Sequence, residues 1–144
     1  MIYITSISNA KRGEYDATYA IVRSMKNPSA WITQMPELSP EWNLFKKYLE
    51  LRDDGNWNKK SFREIYVPEF IKSIKNNPAA VSWLNELYRL DQKEGKNICL
   101  VCFCKDETLC HRIIIAGLLR GIGCNVKTDT KNDYSVYYEM YKAA

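Results

Sequence analysis

The stretch from Asn97 to Phe103 constrains this chain more than any other, because Asn-Ile-Cys-Leu-Val-Cys-Phe is an apolar run of β-branched and aromatic character with no polar alternation. A strand with one wet face alternates. An unbroken run therefore predicts a strand buried on both faces, the pattern of a parallel sheet covered by helices. From Ile113 to Leu119 apolar residues recur at helical spacing and stop at Gly121 and Gly123, which predicts a helix with a glycine end. The polar loop between them lies at the carboxyl end of a central strand, where parallel α/β sheets bind their ligands.

That loop, Cys102 to Arg112, holds three of the five cysteines and the only histidine. Thr108 is read as the N-cap of the helix, which puts Cys110, His111 and Arg112 in its first turn, where unpaired amides and the helix dipole favour negative charge. A thiol there ionises more easily. Cys110 is thus the candidate thiolate nucleophile, with Arg112 to hold the anion or an anionic substrate. An arginine in the first turn runs against the dipole, and residues that break a local rule tend to be functional. The ordinary alternative is that Arg112 pairs with Asp106 or Glu107 and that Cys110 only packs. His111 follows Cys110 directly, so on a helix it points about 100° away, which favours an orienting role over that of its base.

Two other site types fit less well. A phosphatase-type phosphate loop needs a tighter spacing than the eight positions from Cys104 to Arg112. Zinc could draw on Cys102, Cys104, Cys110 and His111, but there is no regular Cys-x-x-Cys knuckle and Cys102 belongs to the apolar run. Neither a metal nor a cofactor is expected.

Along the chain, Ile2 to Ser6 predicts a first strand and Thr18 to Arg23 a second, separated by the polar turn Ser8 to Gly13. Ser24 to Ser39 carries Pro28, Trp31 and Pro36 without helical or strand period and is read as a lid. Ser39 and Pro40 predict the start of a helix through Trp42, Phe45, Tyr48 and Leu49 to Gly55. Lys59 to Lys75 is helical around Phe62, Ile65 and Tyr66, with an interruption near Pro68. Asn77 and Pro78 open another helix, whose Val81, Leu84, Leu87 and Tyr88 face the sheet and which ends near Gly95. Asn125 to Thr128 is a short strand and Tyr134 to Tyr141 a last helix. The aromatic residues along these helices read as core.

With no repeat, linker or low-complexity tract, residues 1–144 make one α/β domain, a Rossmann-like three-layer fold with a small, mostly parallel sheet flanked by helices. Twenty-one basic against seventeen acidic residues leave a net charge of +4, which suits a local anionic ligand better than a long nucleic-acid tract. Met1 to Ser6 lacks a charged leader and a signal-length apolar core, and no segment approaches membrane-spanning length. A soluble, cytoplasmic protein with reduced cysteines and no membrane partner is expected.

If the strands are parallel, their carboxyl ends place Ser8, Asn9 and Lys11, then Arg23, then Cys104 and Lys105, on one rim with the Cys110-His111-Arg112 helix start. Such a rim suits phosphate in a nucleotide, a nucleic-acid backbone or a phosphorylated metabolite. Trp31 on the lid would stack on a base. Two functions fit these residues: an enzyme on a nucleotide or nucleic-acid-derived substrate, with Cys110, His111 and Arg112 catalytic, and a non-catalytic module that captures a nucleotide. A zinc-stabilised interaction domain is a third.

Cys102-Phe103-Cys104-Lys105, followed by Cys110-His111-Arg112 and an apolar helix, resembles the signature of the family known as domain of unknown function 488. Ser8-Asn9-Ala10-Lys11 and Ala20-Ile21-Val22-Arg23 are similar to its elements after the first strand and in the second. Pro28-Ser29-Ala30-Trp31 and Leu38-Ser39-Pro40 resemble two more, in the same order. The resemblance spans about residues 1 to 122, and the tail beyond matches nothing specific. Cys104 stands where relatives carry glutamate, so it lends that position no carboxylate chemistry. The resemblance implies a compact α/β fold and an intracellular protein of bacteria or their viruses, and no established activity.

Overall fold

The apolar run becomes the middle strand of one sheet. In chain order the strands are β1 (Ile2–Ser6), β2 (Ala17–Ala20), β3 (Thr33–Gln34), β4 (Ile98–Cys102) and β5 (Val126–Lys127), in this computed structural model, which describes residues 1–144. The spatial order is β3-β2-β4-β1-β5, and every pair is parallel. All of β4 is buried, as an apolar strand between two neighbours must be. The helices are α1 (Trp42–Asp53), α2 (Lys59–Ser61), α3 (Val67–Lys75), α4 (Pro78–Tyr88), α5 (His111–Ile122) and α6 (Ser135–Ala143). Together they give the single-domain, Rossmann-like α/β fold with helices flanking the sheet. No helix is long and apolar enough to cross a membrane.

Local chemistry explains most element boundaries. Asn77 accepts hydrogen bonds from the amides of Ala79 and Ala80 at the start of α4, with Pro78 where no amide donor is needed. Asn58 and Ser61 form a reciprocal capping box at α2. The helical path then takes one π turn, Phe62–Tyr66, closed by Val67 N–H to the Phe62 carbonyl, just ahead of Pro68, which has no amide to donate. This is the interruption predicted near Pro68. Gly123, at φ 111°, ends α5 in the left-handed conformation.

Three boundaries differ from the sequence reading. The second strand stops at Ala20, although Ile21 N–H still bonds the Val101 carbonyl. Ser39 does not cap α1: its hydroxyl turns back to the Pro36 carbonyl at 2.5 Å, and Glu41 is the N-cap. The segment Ser24 to Ser39 is not a free lid. Its second half adds β3 to the sheet edge, Met35 N–H bonds the Ala20 carbonyl at 2.8 Å, and Ile32, Met35 and Leu38 are buried. A two-residue strand is too short to show a period, so the pattern hid it.

One face of the sheet carries Ile4, Tyr19 and Leu100, aligned by register, and against it pack α5 and Trp83 of α4, whose ring lies 5.4 Å from that of Tyr19. Tyr3, Thr18 and Cys99 lie on the other face, where the Tyr15 ring packs tilted against that of Tyr3 at 5.3 Å. Burial pushes Cys99 and Cys124 up to about 12. An unfolded thiol ionises near its ordinary value of roughly 8.5, so above that pH the unfolded chain binds fewer protons than the folded one and stability falls as pH rises. Cys99→Ala is expected to flatten that alkaline fall in Tm between pH 8.5 and pH 11, measured by thermal denaturation across pH. An unchanged slope would show that other groups carry it.

Candidate active site

The chain leaves β4 at Cys102, level with Ser6 at the end of β1, and makes one 3-10 turn at Glu107–Leu109 before α5. Asp106, not Thr108, caps that turn, accepting from the Thr108 amide at 2.9 Å and hydroxyl at 2.7 Å. Cys110 is therefore the N-cap of α5 rather than a first-turn residue, with extended backbone at φ −125°, ψ 144°. That conformation brings its Sγ to 3.0 Å from Cys102 Sγ. Cys104 completes a trio whose sulfurs all lie within 4.8 Å of one another. Three thiolates at that spacing could hold a soft metal ion, with His111 outside the group.

Arg112 is not a rim cation. Its side chain is 0% exposed, and it pairs with neither Asp106 nor Glu107. Nη1 donates to the Cys104 carbonyl and, at 3.3 Å, to Cys102 Sγ, while Nη2 reaches Asp129 Oδ2 at 3.3 Å. Glu107 has a different task. Buried, it accepts from the Asp129 amide at 2.9 Å, the Thr130 hydroxyl at 2.5 Å and the Tyr134 hydroxyl at 2.8 Å. Those bonds hold the segment after β5 so that Asp129, also bonded by Thr5 Oγ1 at 2.8 Å, faces Arg112.

His111 lies 2.7 Å from the Ile21 carbonyl through Nε2. A carbonyl can only accept, so Nε2 carries the proton and Nδ1, without one, faces Cys110 Sγ at 3.7 Å. Burial lowers the pKa of the imidazole and keeps it neutral. The angular argument against a Cys110–His111 contact fails because Cys110 stands outside the helix.

The charge in the trio does not rest where the helix start predicted. Hydrogen bonds from the Cys104 and Cys110 sulfurs, with Arg112 alongside, pull Cys102 well below the ordinary thiol value. Burial pushes Cys110 well above it, and the bond to Cys102 pushes Cys104 up to about 11. Cys102, the sulfur that Arg112 reaches, is thus the one on which negative charge is favoured, with the Cys104 and Cys110 sulfurs beside it.

A cavity of about 310 Å³ opens beside the trio, lined by Cys104, Cys110, His111 and Arg23 and walled by aromatic rings. Of the expected site residues the structure brings these four together, with Arg112 bonded to the Cys104 carbonyl behind them. Asn9, Lys11 and Lys105 are exposed and outside the cavity, and Trp31 is half-buried against the core. Asp129, Tyr48, Trp57 and Tyr66 were not foreseen. Asp129 follows β5, so the strand-end argument applied there would have found it. The aromatic residues gave no signal separating a cavity wall from core.

Residues 3–123 match the model of the DUF488-N3a family, described as the active DUF488-N3 subclade. No curated protein and no solved structure matches the chain.

Proposed function

We propose, from the premise that this chain belongs to the DUF488-N3a family, that it is a thiolate-dependent enzyme acting on a phosphate-bearing substrate of the nucleotide or nucleic-acid class. The description of that family as an active subclade favours chemistry over capture alone. One observation carries the reading: Cys110 Sγ sits 3.0 Å from Cys102 Sγ, which in turn takes a hydrogen bond from the buried Arg112 at 3.3 Å. Cys102 stores the negative charge under Arg112. Passing the Cys110 proton to Cys102 leaves the thiolate on Cys110, the sulfur of the pair that lines the cavity. Its raised pKa makes that sulfur the stronger nucleophile once ionised. The sulfur bonds to an electrophilic carbon of the substrate, and the leaving group departs with the bonding pair and takes the proton now on Cys102. His111, fixed by the Ile21 carbonyl, orients Cys110.

Alkylation by iodoacetamide, mapped by mass spectrometry across pH, tests this. One sulfur of the trio, Cys102 or the Cys110 that passes it a proton, is expected to be alkylated below the ordinary thiol range, near pH 8.5, while Cys99 and Cys124 stay unmodified. Cys102→Ala removes the sulfur that holds the charge under Arg112 and should abolish that early labelling. An onset already ordinary in the unaltered protein, or one indifferent to Cys102→Ala, returns the site to the capture-only reading.

A further inference from the structure

The walls of the cavity have a chemistry that the thiol centre does not require. Trp42, the first residue of α1, is 57% exposed, and Phe103, the first residue after β4, is 59% exposed; both line the cavity. A fold that buries its other tryptophans at least in part leaves these two large rings in water at one concave place. Exposed aromatic surface gathered at a pocket marks ligand contact. Further along the wall, Tyr48 meets Trp57 edge to face at 4.8 Å, and Trp57 meets Tyr66 at 5.4 Å. Two cations share the lining. Arg52 has its guanidinium carbon 5.8 Å over the Tyr48 ring and pairs with Asp53 through Nε and Nη2 at 3.4 and 3.3 Å, which leaves Nη1 open, and Arg23 bonds the Pro40 carbonyl through Nη1 at 3.4 Å, which leaves Nη2 open. Both are exposed to solvent.

Ring faces, two guanidinium groups that each keep an open N–H edge and a sulfur at one boundary select a ligand with a flat heteroaromatic part and an anionic part. The volume of about 310 Å³ lies at the lower end of the roughly 300–1,000 Å³ of small-molecule pockets, which suits one ring system with its sugar and not a polymer. We infer that the cavity is the base-binding subsite for a nucleoside monophosphate, with the base stacked on Trp42 and Phe103 and the phosphate paired with Arg23 and Arg52. This rests on the thiolate reading only for which atom reacts, Cys110. Stacking is done by these rings and not by Trp31, which packs against the core.

Calorimetric titration of the full chain with AMP, GMP, CMP and UMP, and with ribose 5-phosphate and inorganic phosphate as base-free probes, decides it. At least one nucleoside monophosphate is expected to bind ten times tighter than ribose 5-phosphate or better, and to slow alkylation of Cys110. Trp42→Ala is expected to weaken that nucleotide by roughly ten- to a hundredfold and to leave ribose 5-phosphate unchanged. Phe103→Ala should act in the same direction, and neither exposed ring is needed for folding, which thermal denaturation of both variants checks. Equal binding of nucleotide and ribose 5-phosphate, nucleotide affinity indifferent to both substitutions, or no binding of any nucleoside monophosphate each overturns the inference. The pH onset of alkylation in ligand-free protein tests the thiolate centre separately, so the two readings fail apart.

Discussion

Arg112→Ala is expected to cost about 3–5 kcal/mol of stability, the range for removing one partner of a buried ionic network. In a domain of this size that is roughly 10 °C or more in Tm. The guanidinium is fully enclosed and makes three contacts in three directions, to the Cys104 carbonyl, Cys102 Sγ and Asp129. Without it, Asp129 regains water, being 35% exposed, but Cys102 loses the cation that shares its charge. The thiol should then ionise only at higher pH, and the alkylation onset should move with it. Arg112→Lys keeps the charge, yet one ammonium cannot reach the three acceptors at once, so an intermediate Tm is expected. A rim arginine would behave oppositely. Wild-type Tm in Arg112→Ala would show that the side chain is not enclosed as described.

Gly117→Ala is expected to destabilise by about 1–3 kcal/mol, the cost of overpacking, although alanine in a helix interior normally gains up to about 1 kcal/mol over glycine. A Cβ at Gly117 would clash with the Tyr134 carbonyl oxygen and stand 3.2 Å from Tyr137 Cβ. Backbone cannot swing aside as a side chain can, and Tyr134 is held at φ 56° with its hydroxyl on Glu107. Relief requires α6 to move away from α5. That movement loosens Glu107, hence Asp129 and Arg112, so the alkylation onset of the trio should rise as well. At Gly121 an added Cβ would meet the Tyr138 ring from Cγ outward, so the whole ring must leave its place, and Gly121→Ala should destabilise as well. Urea denaturation measures both losses, and wild-type stability in either variant would place the tight contact elsewhere.

The Gly117 clash shows how the site depends on residues outside its motif. The helix α6 begins after the segment shared with the family, yet its N-cap residue, Tyr134, anchors the carboxylate that steadies Asp129. In the sequence Glu107 and Asp129 are 22 positions apart and unremarkable. Arg112 drew attention for breaking the helix-dipole rule, and the fold encloses it as an internal donor to the Cys102 sulfur instead of leaving it on the rim for an outside anion. Cys110 and His111 were identified by composition and position. Their contact came from a 3-10 turn at Glu107–Leu109 that shifted the helix start by two residues, a detail that Thr108 as a cap concealed.

What the sequence determined was whatever depends on neighbours along the chain. The Ile98–Cys102 strand, buried on both faces, follows from an apolar run, α4 from Asn77 and Pro78, the end of α5 from Gly123, and the meeting of cysteines with a helix start from their spacing. Tertiary structure decided what depends on distance through space. It set Arg112 and two thiols around Cys102, which favours negative charge on that sulfur. It turned half of the supposed lid into a sheet edge, and it gathered Trp42 and Phe103, 61 positions apart, at one cavity. Charge location and cavity shape depend on which groups surround an atom, and those groups come from separate elements that only packing brings together.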